Sequence, residues 1–262
     1  MLIEPRSAAP GAVLRWSRQA LDLLRRGLSF WSALSLLMCL WVFVGHRLPL
    51  VSGILALVAL LSCMLIASHL DRSGRITLAE ALEMLRAKLP VILMFAAIVA
   101  VAGALVWVLL LAKPGVAWWN ILYTERNSVD VLSADGFVAL RQIFVYSAFA
   151  LGLCYFGLNI PGLTSFFQFL GMTLLGLPFR EAWRLGATGQ IRNLGPMIGV
   201  ALLFMVLPAL CALLLPPLVP VLYCFFGALG YVAFREIFLG IGENQPRETA
   251  VTARATPLSS RA

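Results

Sequence analysis

The sequence predicts an all-α protein that spans a membrane several times. Of its 262 residues, 61% are hydrophobic and only 12% are charged, about half of the roughly 25% charged residues usual in soluble domains. The mean hydropathy is +0.93, and apolar runs of about 20 residues, which cross a hydrocarbon core of roughly 30 Å, recur along the chain. These observations exclude a disordered chain, a disulfide-rich secreted scaffold and an ordinary soluble enzyme.

Five apolar runs are long enough to span a bilayer, and an interrupted sixth run lies between the third and the fourth. The five predicted spans are residues 28–45, 48–68, 89–112, 194–215 and 217–240. The interrupted run, 143–179, contains Asn159-Ile-Pro-Gly162, where Pro and Gly break or kink a helix. We expect it to cross once, tilted, bent or partly re-entrant, for six spans in all. Two crossings, giving seven spans, are the alternative.

The distribution of basic residues predicts the orientation. The first span is preceded by a basic segment that contains Arg15, Arg18, Arg25 and Arg26. The loops 69–88 and 180–193 are also basic, which places all three segments on the cytoplasmic side. The outer loop 113–142 has no net charge and is predicted to be extracytoplasmic.

The domain organisation follows from these spans. We predict a cytoplasmic amphipathic N-terminal helix within residues 1–27, a six-span transmembrane domain at 28–240, and a disordered cytoplasmic tail at 241–262. Both termini are therefore expected in the cytoplasm.

The segment before the first span has the pattern of a basic amphipathic helix. One half of its helical wheel carries Val13, Leu14, Trp16, Ala20, Leu21, Leu23 and Leu24, and the other carries Arg15, Arg18, Asp22, Arg25 and Arg26. Such a helix lies in the headgroup plane of a membrane. We expect Trp16 at the membrane interface and the arginines Arg15, Arg18, Arg25 and Arg26 in contact with anionic lipid.

Two further amphipathic segments precede the third and fifth spans. The first begins with Thr77-Leu-Ala-Glu80, which matches a capping box. The second covers residues 179–194 and is weaker. These similarities suggest three repeated units, each an interfacial helix followed by an outward and a returning span. The alternative, of even weight, is that basic residues simply flank the inward ends of the spans.

One polar cluster interrupts the apolar sequence. It consists of Asn159, Thr164, Ser165 and Gln168, and it flanks Pro161-Gly162. A discontinuous helix at this point would offer polar groups to a substrate, which makes the cluster a speculative substrate-binding site. Hydrogen bonding between helices around a kink is the interpretation we favour.

No pattern of catalytic or metal-binding residues is present in the sequence. The two histidines, His46 and His69, are predicted on opposite sides of the membrane, and no HExxH, GxSxG or Walker A motif occurs. The five cysteines occupy separate apolar runs without a CxxC pair, so neither a metal nor a cofactor is expected. At the membrane interface we expect a solvated His69–Asp71 pair and an Arg235–Glu236 pair.

The C-terminal third carries a resemblance to a known family. Its motifs are Leu-Pro-Phe-Arg-Glu-Ala-Trp183, Ile-Arg-Asn-Leu-Gly-Pro-Met197 and Gly-Tyr-Val-Ala-Phe-Arg-Glu-Ile-Phe238. Within residues 166–238 the chain resembles an uncharacterised family of small proteobacterial six-helix inner-membrane proteins. More distantly, it resembles the membrane domain of glycerophosphodiester phosphodiesterases, whose catalytic domain has no counterpart here. The resemblance implies a bacterial inner-membrane location and transfers no functional residue.

The sequence therefore predicts a non-enzymatic accessory or membrane-organising protein. Its expected partners are the lipid bilayer, anionic phospholipid and another membrane protein, with no nucleic acid. The alternative function is a small permease or lipid-handling carrier with its site at residues 159–168.

Overall fold

The described part of the chain is entirely helical. The structure, a computed structural model, describes residues 4–45, 49–111 and 165–240 together with 148, 151, 152, 155, 158 and 159. Side chains are not described at 40–45, 49–53, 100 and 102–111. The outer loop 113–142, the tail 241–262, His46 and Pro161 to Thr164 lie outside the described residues. No strand occurs within the part that is described.

Within residues 12–111 and again within residues 166–239, the described helices follow one another with short connections. In chain order they are α1 (Ala12–Arg26), α2 (Leu28–Gly45), α3 (Pro49–Ser73), α4 (Leu78–Leu111), α5 (Phe166–Leu174), α6 (Phe179–Arg192), α7 (Leu194–Leu214) and α8 (Val219–Phe234). A 3-10 turn, Pro216–Leu218, leads into α8, and a π-helical turn, Arg235–Leu239, ends it.

Three described segments are long and apolar enough to cross a membrane. They are Ile54–Ser73, Leu194–Leu214 and Pro216–Leu239. The prediction of an all-helical protein with membrane-spanning helices is therefore confirmed for the described part. The predicted first span has the bounds of α2, Leu28–Gly45.

The centre of the bundle is a close, parallel pair formed by α3 and α8. A side-chain carbon on Gly227 of α8 would lie 2.3 Å from Cβ of Cys63, so only glycine permits this approach. Eight residues further along both helices, Arg235 forms an ion pair with Asp71. Because the residue numbers of the contacting pairs increase in the same direction along α3 and α8, the two helices are parallel.

Both ends of the described chain lie at one end of this bundle. The backbone N–H of Arg6 donates to the carbonyl of Ile237 in the last turn, at 2.8 Å. Asn193, between α6 and α7, accepts from Ala8 N–H and donates to the Arg6 carbonyl.

The first and third predicted units share the same joint between interfacial helix and span. Gly27 links α1 to α2 with φ −111° and ψ 32°, and Asn193 links α6 to α7 with φ −119° and ψ 34°. Each joint follows an arginine, Arg26 or Arg192. This common backbone geometry supports the repeat for these two units.

The second unit differs from the prediction of a separate interfacial helix. α4 runs unbroken for 34 residues, about 51 Å at 1.5 Å per residue, with Pro90 inside it. Its predicted capping box is confirmed: Thr77 Oγ1 accepts from Glu80 N–H, and a Glu80 carboxylate oxygen accepts from Thr77 N–H. The hydrogen bonds that the Glu80 carboxylate accepts, first from Thr77 N–H and then from the Thr77 hydroxyl, lower the pKa of Glu80. Pro90 removes one backbone N–H and adds a ring clash, but the helix continues through it.

Replacement of Gly227 by Ala tests the central packing. We expect Gly227→Ala to lower the free energy of unfolding by about 1–3 kcal/mol because α3 and α8 must separate to admit the methyl group. The control is Gly195→Ala, since nothing lies within 4 Å of a side-chain carbon at that helical position. Thermal unfolding in lipid nanodiscs measures both, and an equal effect of the two changes would contradict the assigned packing.

Candidate functional site

Two partly buried ionic contacts join three helices at the end of the bundle where α1 lies, called here the basic end. In the first, the Arg235 guanidinium donates to Asp71 Oδ2 at 2.6 Å, and the hydroxyl of Tyr231 donates to the same oxygen at 2.9 Å. Arg235 also donates to the side-chain oxygen of Gln19 on α1. The side chains of Arg235 and Asp71 are 13% and 10% exposed, so this network joins α1, α3 and α8 away from solvent.

The second contact fixes α1 to the π-helical turn. Arg15 donates to Glu236 Oε1 at 2.8 Å, and the indole N–H of Trp16 donates to Glu236 Oε2 at 2.9 Å. Trp16 is fully buried. The Glu236 carboxylate therefore binds two side chains of α1, and each of its oxygens accepts one hydrogen bond.

These contacts correct three predictions. Trp16 does not face lipid, because it packs inside the protein against the last helical turn. Arg235 and Glu236 do not form a pair with each other, since each pairs with a different helix. Asp71 is not a solvated residue paired with His69 but accepts from Arg235 and Tyr231. Neighbouring residues on a helix point in different directions, which sends the two charges of the last turn to different partners.

The contacts divide α1 into an inner and an outer face. The inner face is buried and consists of Ala12, Trp16, Ala20 and Leu23. The outer face is exposed and alternates apolar and basic side chains: Leu14, Arg18, Leu21 and Arg25, with Arg26 beside them. Of the four arginines predicted to contact lipid, Arg15 is used inside the protein, whereas Arg18, Arg25 and Arg26 point outward.

α6 presents the same division with a wider apolar stripe. Its buried face is made of the small residues Ala182, Gly186 and Gly189, which pack against α5 and Phe238. Two exposed stripes lie side by side at four-residue spacing: the apolar Phe179, Trp183 and Ile191, and the polar Arg180, Arg184 and Thr188. Ile191 is 76% exposed. One face of α6 is therefore packed on the protein, the second is apolar and the third is cationic. Such a helix suits the boundary between acyl chains and headgroups.

Within the predicted polar cluster, two residues have structural partners. Ser165 caps α5 by accepting the N–H of Phe167. Asn159 donates to the Tyr155 carbonyl and accepts from the side chain of Gln190 on α6. Thr164 lies outside the described residues. These hydrogen bonds agree with the favoured interpretation of the cluster as contacts between helices.

Gln168 is the exception in this cluster. Its side chain is fully buried, and neither its amide nitrogen nor its oxygen has a hydrogen-bond partner among the residues that the structure describes. It lies one turn into α5, where Gly186 of α6 packs against its backbone. A buried amide without partners costs free energy, commonly about 1–3 kcal/mol in proteins.

The described surface includes one shallow groove beside the start of α7. It has a volume of about 380 Å³ and is lined by residues 8–13 with Gly195 and Pro196. None of these residues carries a charged or nucleophilic side chain. Among the described residues no group of three or more His, Cys, Asp or Glu side chains is placed to hold a metal ion.

Comparison with protein-family models, with curated proteins and with solved structures returns no match. The resemblance of residues 166–238 to six-helix inner-membrane proteins therefore stays a prediction. The site is interpreted from its own geometry alone.

A double-mutant cycle tests the contact between Arg15 and Glu236. The variants Arg15→Gln, Glu236→Gln and the double change should show a coupling energy of about 1–2 kcal/mol, because the pair is mostly shielded from solvent. The matched control is the exposed Arg25–Asp22 pair, 3.5 Å apart, whose coupling should stay near or below about 0.5 kcal/mol. Equal coupling in the two cycles, measured by thermal unfolding, would show that the buried contact does not form.

Replacement of Gln168, whose amide has no described partner, is expected to stabilise the protein. Gln168→Leu should raise the free energy of unfolding by about 1–2 kcal/mol, because it removes buried polar atoms without removing a hydrogen bond. Asn159→Leu, the control, should lower it by about 1 kcal/mol, because Gln190 loses its acceptor. Loss of stability in Gln168→Leu comparable to the control would mean that the amide has a partner, such as a bound ligand.

Proposed function

We propose that this chain is a non-enzymatic integral membrane protein that organises the cytoplasmic leaflet and accompanies another membrane protein. It binds anionic phospholipid through its interfacial helices at the basic end. The observation that carries the proposal is the outer face of α1, where Arg18, Arg25 and Arg26 are exposed beside Leu14 and Leu21. An arginine near an anionic surface contributes roughly 1 kcal/mol to binding.

The rigid attachment of α1 supports this role. Trp16 and Arg15 donate hydrogen bonds to Glu236, and Gln19 accepts one from Arg235, which fixes α1 on the bundle. The outward arginines are therefore held on a fixed helix and do not have to be ordered when lipid binds, which reduces the entropic cost of binding. The paired apolar and basic stripes of α6 extend the same chemistry to a second helix.

We further propose six spans in a bacterial inner membrane, with both termini cytoplasmic. The proximity of Arg6 to Ile237 supports an even number of crossings, and seven spans would place these residues on opposite sides. The basic residues on the exposed faces of α1 and α6 support the cytoplasmic assignment of that end, because positive charge is retained there.

The carrier alternative has weaker support. Ser165 and Asn159 are used in hydrogen bonds within the protein, and only Gln168 of the described cluster has free polar atoms. A carrier site would need the amide for its substrate, so a ligand that stabilises the wild-type chain but not Gln168→Leu would favour this alternative.

The lipid preference of reconstituted protein tests the proposal directly. In nanodiscs containing phosphatidylglycerol and phosphatidylcholine, the wild-type chain should enrich the anionic lipid in its boundary layer. The triple variant Arg18→Gln, Arg25→Gln and Arg26→Gln should lose most of this enrichment, a several-fold change, because its outward cations are removed. Mass spectrometry of the lipids retained after mild extraction measures it.

The matched control removes the same charge from elsewhere in the sequence. The variant Arg247→Gln, Arg254→Gln and Arg261→Gln also lowers the net charge by three, but it does so in the 241–262 stretch. We expect it to keep the wild-type enrichment. Equal loss in both variants would show that net charge alone, and not the face of α1, attracts the lipid.

A further inference from the structure

Two cysteines from distant parts of the sequence meet at the centre of the bundle. Cys63 of α3 and Cys224 of α8 are both fully buried, and Cys224 lies one helical turn before Gly227, which packs directly on Cys63. Both thiols are free in this structure. They are 161 positions apart (224 minus 63), so no spacing rule applied to the sequence brings them together.

The packing around the pair keeps the two cysteines together. Gly227, one turn after Cys224, lies directly against Cys63, and a side-chain carbon there would also approach the Cys63 backbone, at 2.9 Å. The Asp71–Arg235 ion pair holds the two helices in register eight residues further on. Both contacts lie on the C-terminal side of the pair and hold α3 and α8 together there.

One further polar group touches the pair. Ser35 of α2 is buried, and its Oγ lies 3.6 Å from Cys224 Sγ. A hydroxyl at this position can donate a hydrogen bond to the sulfur as that sulfur loses its proton, which helps the thiol to react in an apolar environment. Ser35 would act as a positioning residue for this reaction.

We propose that Cys63 and Cys224 form a two-electron redox site inside the membrane, oxidised to an intrachain disulfide by a lipid-soluble quinone. Two S–H bonds break and one S–S bond forms. The two electrons and two protons pass to the quinone, which becomes the hydroquinone.

The position of the pair limits the class of oxidant. Cys63 lies in the apolar helical segment Ile54–Ser73 and Cys224 in the apolar segment Pro216–Leu239, and both segments are long enough to cross a membrane. A charged aqueous oxidant does not enter such an environment, because transfer of an ion from water into it is very unfavourable. A neutral acceptor of two electrons and two protons leaves no net charge behind, since dithiol, disulfide, quinone and hydroquinone are all uncharged.

The test uses a full-length chain that keeps only the pair. In a background of Cys39→Ser, Cys154→Ser and Cys211→Ser, the protein is reconstituted in nanodiscs and treated with duroquinone, whose ring carries no free position for thiol addition. Free thiols are then counted by maleimide labelling of the unfolded chain. We expect the count to fall from about two to none per chain, to recover with dithiothreitol, and the oxidised chain to remain monomeric on gels.

The controls separate an intrachain disulfide from other oxidation. Addition of Cys63→Ser or Cys224→Ser to this background should leave one free thiol after the same treatment. Ser35→Ala should slow the reaction several-fold while leaving the end point unchanged. A two-cysteine chain that keeps both thiols under duroquinone, or that forms only disulfide-linked dimers, would overturn the proposal.

Discussion

Two carboxylates at the basic end govern how the described helices are arranged. Asp71 and Glu236 lie where an apolar bundle ends, with little access to solvent. A buried charge left without a partner costs several kcal/mol, so each must meet a cation and hydrogen-bond donors. Those donors come from Arg235 and Tyr231 for one carboxylate, and from Arg15 and Trp16 for the other. The requirement specifies where α1 lies and how α3 and α8 are aligned, although it contributes less to stability than to specificity.

The exposed surface of the protein follows from that arrangement. Because Trp16 and Arg15 of α1 bind Glu236, the opposite face of the helix exposes arginines and leucines together. Such a face suits a headgroup layer better than water or the acyl core. α6 also has an exposed apolar and basic surface. Its small residues pack closely on α5, and its aromatic residues therefore lie on the outside. In this way contacts within the protein determine which cations of α1 and α6 remain exposed. The redox chemistry proposed at the centre of the bundle is independent of this surface.

Features that depend on neighbouring residues could be predicted from the sequence, and those that depend on distant ones could not. The bounds of α2 and the Thr77–Glu80 capping box are local, so composition and spacing were sufficient. The helical wheel of α1 gave its amphipathic character but not the burial of Trp16, because lipid and a protein core are equally apolar. The partners of Asp71 and Arg15 are 164 and 221 positions away, and only the folded bundle brings them together. The proximity of the two buried cysteines is hidden from the sequence for the same reason.

Site-directed spin labelling of α1 tests most directly whether this helix is held on the bundle with its arginines outward. Single labels at residues 12–26, in protein reconstituted with anionic lipid, would be compared for collisions with oxygen and with a water-soluble nickel complex. The account predicts a helical period, with labels at 16, 20 and 23 immobile and shielded from both reagents. Labels at 14, 18, 21 and 25 should be mobile and should show the accessibility of the headgroup region. Uniform exposure to the nickel complex around the whole helix would contradict the account, because it would place α1 free in water with Glu236 unpaired.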